Sequence, residues 1–224
     1  MTTMNVPQAQ AKQGVKINTN QRTTIQVQTA SIKALVGGLY ADHPYGHTAL
    51  RVITQSGERI YDYGRDGKTW GVGNSEGEGI LNIWTSFDSY IAEENSLKRK
   101  TTGFLYEVSE EQAEKINQFY EGKIASKKPN SAGKVKASYV IDDYYALGPN
   151  CTTLSVDAAK VAMPDLDTDW KKYQDGRGLS MIERGIVSAR GWPGHIFMPV
   201  ELQAMLSGTT ARKPKAVQSY EANK

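Results

Sequence analysis

Short segments in which apolar and polar residues alternate, separated by glycine-containing turns, predict most of the strands of this chain. Residues 46–54 (GHTALRVIT) and residues 58–63 (ERIYDY) lie on either side of the turn signal Gln55-Ser56-Gly57, which predicts a β-hairpin. Further strands are predicted at 80–84, 103–108 and 194–198, and a short strand or helical turn at 135–147.

Helical periodicity predicts two longer helices. Ser109 begins the first, because Gln112 follows at the position that completes a capping box. Four apolar residues then fall on one face of this helix: Ala113, Ile116, Tyr120 and Ile124. The second helix begins at Cys151 after the N-cap residue Asn150, and it ends near Ala162 because Pro164 stops it.

Shorter helices are predicted at 86–95 and 199–206, and residues 165–191 are predicted to be irregular or helical. This mixture of strands and helices indicates an α+β fold with an antiparallel sheet. The two ends are polar and carry few large apolar groups, so residues 1–24 are predicted to be a disordered arm and residues 207–224 a disordered basic tail. The folded domain is then expected to span residues 25–206.

The charge of the chain follows the same division. The 27 basic and 24 acidic residues give a net charge of +3, but each end carries about +3 by itself, which leaves residues 25–206 near −3. The short basic run Lys98-Arg99-Lys100 is typical of a solvated face, so no nucleic-acid partner is predicted. No apolar run approaches the roughly 18 residues that would indicate a transmembrane segment, and residues 1–24 lack the apolar region of a secretory signal peptide.

Cys151 is the one cysteine of the chain, which excludes an internal disulfide and a multi-cysteine zinc site. No carboxylates have the spacing of a calcium loop, so neither a metal nor another cofactor is predicted. At the start of a helix capped by Asn150, unpaired N–H groups and the helix dipole favour a nucleophilic thiolate and would bind an oxyanion. The alternative is a buried and inert cysteine that packs as a small hydrophobic residue.

A thiolate nucleophile needs a base, and the chain offers three histidines. His47 begins the first strand of the predicted hairpin, and Asp62 lies on its return strand, where antiparallel pairing would let it accept the imidazole N–H. His195 is the competing base, although no orienting partner on a return strand follows it. His43, before Pro44, is expected in a loop at the mouth of the site.

Aromatic residues near these motifs are the candidates for substrate binding: Tyr45, Trp70 and Tyr145. Trp70 and Trp84 flank the glycine-rich segment 71–79, although core packing is the favoured role for Trp84. That segment lacks the Gly-Lys-Ser/Thr ending of a phosphate-binding loop. Three tyrosines just before the cysteine would either line the cleft or pack beneath the cysteine helix: Tyr139, Tyr144 and Tyr145.

The segment GHTALRVITQSGERIYDYG resembles the histidine hairpin of NlpC-type papain-like amidohydrolases, and GPNCTTLSVDAAK resembles the start of their cysteine helix. The histidine precedes the cysteine here, as in the circularly permuted branch that includes lecithin:retinol acyltransferase-like proteins. The resemblance covers about residues 38–65 and 145–165. It implies a papain-like fold with Cys151 as nucleophile, His47 as base and Asp62 as third member, although that family usually has His, Asn or Gln in the third position.

The resemblance implies hydrolysis of an amide bond in peptidoglycan stem peptides. A hydrolase with a polar arm and no signal peptide also resembles antibacterial effectors that a type VI secretion machine carries from the cytoplasm into the periplasm of a rival cell. An immunity protein and a partner in the secretion apparatus are then expected. Two alternatives are a lipid or thioester acyltransferase of the permuted group and a non-catalytic module of a phage or secretion apparatus.

Overall fold

An antiparallel sheet of nine strands organises the part of the chain that the computed structural model describes, residues 23–32, 45–71, 76–208 and 212–220. The strands are β1 (Thr23–Ile32), β2 (His47–Thr54), β3 (Gly57–Gly64), β4 (Thr69–Trp70), β5 (Glu76–Trp84), β6 (Arg99–Val108), β7 (Ser131–Ala132), β8 (Lys136–Tyr145) and β9 (Ala216–Tyr220). Their order across the sheet is β7-β8-β5-β3-β2-β1-β6-β9, and β4 pairs with β5 beside this path.

Five helices accompany the sheet in the described ranges, and the fold is α+β as predicted. They are α1 (Phe87–Ser96), α2 (Glu110–Ile124), α3 (Cys151–Ala162), α4 (Met181–Arg190) and α5 (Pro199–Ser207), with a short 3₁₀ turn at Trp170–Lys172. In the described part of the chain, no helix combines the length and the apolar character needed to cross a membrane.

The hairpin of β2 and β3 lies at the centre of the sheet. Its strands join through the two-residue turn Gln55-Ser56, after which Gly57 has a φ of +133°, a value that residues with a Cβ seldom adopt. Successive side chains point to opposite faces, so Leu50 and its register partner Tyr61 pack towards α2 and α3. Ala49 and its partner Asp62 point to the other face, where Ala49 belongs to the apolar cluster that includes α1 residues.

The predicted capping box of α2 is present: the Ser109 side chain accepts from the Gln112 N–H, and the Gln112 side chain accepts from the Ser109 N–H. The apolar face of the helix then packs on the sheet, where the Tyr120 ring stacks on Tyr61 with 3.9 Å between ring centroids. α3 packs on the same face of β2 and β3, so the helix that begins at Cys151 lies directly on the hairpin.

Three sequence-based expectations differ from the structure. The predicted strand at 194–198 does not form, because side-chain amides take the carbonyl groups of that segment: Gln174 donates to the His195 carbonyl and Asn150 to the Phe197 carbonyl. The tail is predicted to be disordered from residue 207, but residues 216–220 form β9, which pairs with β6. Backbone hydrogen bonds to an edge strand do not need an apolar sequence, which is why the polar composition of the tail concealed it. Residues 23–24 of the predicted disordered arm begin β1, and residues 1–22 lie outside the described residues.

Candidate active site

Cys151 is the first residue of α3 and is almost completely buried. Asn150 caps the helix, because its side-chain oxygen accepts from the N–H groups of Thr152 and Thr153, at 3.0 Å each. The Asn150 side-chain amide also donates to the Ala146 and Phe197 carbonyls, which ties the start of the helix to two flanking segments. The predicted cap thus forms, but it uses two of the N–H groups that were expected to bind an oxyanion.

His47 and Asp62 lie on the same face of the hairpin, at diagonal positions on β2 and β3. His47 Nε2 is 2.5 Å from Asp62 Oδ1, and both side chains are buried. The contact with Asp62 occupies Nε2 and leaves Nδ1 for a second partner, and His47 is also hydrogen-bonded to Cys151. The structure therefore brings all three of these predicted residues together.

The sulfur of Cys151 has further polar neighbours, and the Thr152 hydroxyl lies 4.0 Å from it. The Tyr144 hydroxyl lies 3.4 Å from Cys151 Sγ, and the backbone N–H of Thr48 is also directed at this atom. A second contact of the same two elements, Thr48 Oγ1 to Thr152 Oγ1 at 3.1 Å, ties β2 to α3 beside the sulfur. The predicted set did not include Thr48, because a backbone donor leaves no signal in residue type.

The charges of the three groups depend on one another. Burial lowers the pKa of His47, but the charge and hydrogen bond of Asp62 and the contact with Cys151 outweigh it, and the pKa lies well above 6.5. Burial raises the pKa of the Cys151 thiol, but His47 and the Tyr144 hydroxyl outweigh it, and the net pKa is lowered. In the same way, burial raises the pKa of Asp62, while His47 and the cations Lys136 and Arg99 bring it below its ordinary value. The arrangement therefore favours a thiolate, an imidazolium and a carboxylate in a row.

Of the other two histidines, one is described by the structure and one is not. His195 is exposed and lies near the loop before α3, where a Cβ added at Gly148 would be 3.4 Å from its Nε2 atom. His47 is therefore the histidine that the described structure shows hydrogen-bonded to the sulfur. His43 falls outside the described residues.

The three aromatic candidates for substrate binding occupy two places. Tyr45 precedes the histidine by two residues and is half-buried, and its hydroxyl donates to Glu183 of α4. Trp70 is exposed on β4, and Trp70, Glu76 and Tyr145 lie side by side on three adjacent strands. Trp84 is buried in the cluster with Tyr90, which fits the core role favoured for it.

A cavity of about 440 Å³ opens on the Asp62 side of the histidine. It is lined by charged and polar groups from β2, β3, the loop between β3 and β4, β4, α1 and β6: His47, Asp62, Arg65, Asp66, Thr69, Glu93, Glu94 and Arg99, together with Gly64 and Leu97. Burial and the charge of Asp62 raise the pKa of Asp66. Among the described residues, no three His, Cys, Asp or Glu side chains form a group that could hold a metal ion.

Comparisons of the chain with models of protein families, with curated proteins and with solved structures give no match.

Proposed function

We propose that this protein is a thiol-dependent hydrolase that cleaves an amide bond through an acyl-enzyme intermediate. The observation that carries the proposal is the buried row of Cys151, His47 and Asp62, in which the imidazole lies between the sulfur and a carboxylate 2.5 Å away. A cysteine that served only as a small hydrophobic residue would not need a histidine held in this way.

The reaction proceeds in two stages. His47 takes the thiol proton, the Cys151 thiolate attacks the carbonyl carbon to form a C–S bond, and the carbonyl oxygen becomes an oxyanion. The C–N bond then breaks as His47 returns the proton to the leaving amine. In the second stage His47 removes a proton from water as its oxygen attacks the thioester carbon. The C–S bond then breaks, the acid is released, and Cys151 and His47 return to their starting state with the proton shared between sulfur and imidazole.

Asp62 and the helix have separate parts in this mechanism. Asp62 orients the imidazole and stabilises its protonated form without taking the proton itself. The N–H of Cys151 is at the first position of α3, where the helix provides no acceptor for it, and it is directed at the Tyr144 hydroxyl oxygen. With the substrate bound, it would donate to the oxyanion instead.

The resemblance of the hairpin and the cysteine helix to the permuted NlpC-type enzymes supports a papain-like fold and peptidoglycan stem peptides as the substrate class. On the same ground we propose that the enzyme acts as an antibacterial effector in the periplasm of a rival cell. The producing cell would then hold an immunity protein.

The test uses purified muropeptides and mass spectrometry of the products. The wild type should release fragments cut at an amide bond, Cys151→Ala should release none, and His47→Ala should lower the rate by about 10²–10⁴-fold. His195→Ala is the matched control and should keep the wild-type rate. Equal product from wild type and Cys151→Ala would exclude Cys151 as the nucleophile.

If no variant cleaves muropeptides, the chemistry is tested separately from the substrate. Alkylation by iodoacetamide followed against pH reports the thiolate of Cys151 directly. The midpoint should lie below the ordinary range of a cysteine and should move up in His47→Ala. An ordinary midpoint that is the same in both proteins would contradict the proposed thiolate–imidazolium pair.

A further inference from the structure

Two threonines join the elements that carry the base and the nucleophile. Thr48 follows His47 on β2, and Thr152 follows Cys151 on α3. Their hydroxyl oxygens are 3.1 Å apart, and both side chains are completely buried. The proposed mechanism gives no part to either hydroxyl, although each threonine is the chain neighbour of a reacting residue.

The direction of this hydrogen bond follows from where each hydroxyl proton can go. A hydroxyl has one proton to donate, and a buried hydroxyl needs an acceptor within the protein. Among the described residues, Thr152 Oγ1 is the one hydrogen-bond partner of the Thr48 hydroxyl, whereas the Thr152 hydroxyl has a second neighbour, Cys151 Sγ at 4.0 Å. If Thr152 donated to Thr48, the Thr48 proton would have no described acceptor. Both protons have an acceptor when Thr48 donates to Thr152 and Thr152 donates to the sulfur.

The contact with the sulfur becomes stronger when Cys151 is ionised. A distance of 4.0 Å is long, and a neutral thiol is a weak acceptor. Hydrogen bonds to an ionised acceptor are shorter and about twice as strong as neutral ones. A donor that itself accepts a hydrogen bond is polarised, so Thr48 strengthens the bond from Thr152 to the sulfur. Both effects lower the energy of the thiolate more than that of the thiol.

We propose that Thr48 and Thr152 form a chain of two hydrogen bonds that ends on Cys151 Sγ and stabilises the thiolate. Thr152 is a catalytic residue in this chain because it touches the reacting sulfur, and Thr48 is a positioning residue that acts through Thr152. When His47 takes the thiol proton, both hydroxyls keep their own protons, and the sulfur gains the negative charge. The inference rests on the proposed function, because it concerns the nucleophile of the same reaction.

Iodoacetamide alkylation followed against pH measures the thiolate in variants that lack one hydroxyl. Thr152→Val removes the donor to the sulfur, so the midpoint should rise by about 0.5–1 pH unit, which means about 3–10-fold less thiolate at pH values below the midpoint. Thr48→Val leaves the Thr152 hydroxyl able to donate, so its midpoint should rise by less than half as much. The double variant should match Thr152→Val, because Thr48 acts through Thr152.

The control variants separate the hydroxyl from the rest of the side chain. Thr152→Ser and Thr152→Ala differ from each other in the hydroxyl alone: Thr152→Ser should keep the wild-type midpoint, and Thr152→Ala should behave as Thr152→Val and takes its place if that variant does not fold. Thr101→Val removes a buried hydroxyl of β6 that has no hydrogen-bond partner in the described structure, and its midpoint should not change. All of these variants retain His47 and Tyr144, the titratable groups that are hydrogen-bonded to the sulfur.

An unchanged midpoint in Thr152→Val, or equal midpoints in Thr152→Ser and Thr152→Ala, would overturn the inference. Equal rises in Thr48→Val and Thr152→Val would also overturn it, since the two threonines would then only tie β2 to α3. These outcomes do not depend on amide cleavage, because alkylation needs no substrate. A failure of the proposed hydrolase is distinguishable, because it gives an ordinary midpoint that does not respond to His47→Ala.

Discussion

The two faces of the central sheet differ in chemistry although the same strands build both. The face towards α2 and α3 carries the large apolar cluster, with residues such as Leu50, Phe104 and Ile116 fully buried. The face towards α1 has a much smaller apolar cluster around Ile60 and Trp84. Its buried polar or charged side chains include those of His47, Asp62, Asn82, Glu94, Arg99, Thr101 and Ser138.

Most of the buried polar side chains of the α1 face have a hydrogen-bond or ion-pair partner on that face. Ser138 donates to Asn82 at 2.6 Å, and Asn82 donates to Asp66 at 3.0 Å. Arg99 forms an ion pair with Glu94 at 3.1 Å, and both side chains are buried. The comparison teaches that one face stabilises the fold by apolar burial, while the other holds the charges that set the protonation of His47 and Asp62.

Breaking the buried ion pair should have the largest effect on stability. Arg99→Met leaves the Glu94 carboxylate buried without its partner, and we expect a loss of about 3–5 kcal/mol in the free energy of unfolding. Urea denaturation measures it, with Leu50→Ala on the apolar face as the comparison, for which about 2–5 kcal/mol is expected. Arg99 also lowers the pKa of Asp62. Of these two variants, therefore, Arg99→Met should change the pH dependence of activity and Leu50→Ala should not.

The double variant Arg99→Met with Glu94→Leu is the control for this prediction. It removes both charges and should recover most of the stability lost in the single variant. A single variant that loses less than about 1 kcal/mol would show that the pair behaves as a surface ion pair.

Asp62→Asn should have an intermediate effect, on activity more than on stability. The charge of Asp62 raises the pKa of His47, whereas burial lowers it, so the neutral amide should lower that pKa. Activity needs imidazolium beside thiolate and is lost as pH rises through the pKa of His47, so the alkaline limb of the pH profile should move to lower pH. At a pH above that limb, lowering the pKa of His47 by about one costs about tenfold in rate, or about 1.4 kcal/mol.

The pH profile of kcat/KM, and that of iodoacetamide alkylation, measure the movement of this limb. Asp66→Asn is the matched control, because Asp66 lies in the same cavity but hydrogen-bonds to Asn82. Its alkaline limb should move much less. An unmoved limb in Asp62→Asn would show that Asp62 does not set the charge of the histidine.

Tyr61→Phe on the apolar face should have the smallest effect. The Tyr61 hydroxyl donates to Asn117 Oδ1 at 2.9 Å, and losing this bond should cost about 1 kcal/mol in the free energy of unfolding. Activity and its pH profile should not change, because the hydroxyl lies between β3 and α2. A pH profile altered as in Asp62→Asn would mean that the two faces are not separate in function.

The sequence alone determined the elements whose signals are local. The capping box of α2 needs only Ser109 and Gln112, and the α3 cap needs only Asn150, so both helices begin where predicted. The short turn at Gln55-Ser56 sets the register of the hairpin, and that register puts Asp62 on the face of His47. The elements of the candidate site were therefore predictable one by one.

The tertiary structure decided what these elements do together. Residues 47 and 151 are far apart in the chain, and docking of α3 on β2 brings His47, and not His195, to Cys151. Tyr144 reaches the sulfur because the end of β8 is tied to the loop before α3, and β9 forms because the edge of β6 accepts a polar strand. These contacts depend on packing and backbone hydrogen bonds between distant segments, which residue type and spacing do not encode.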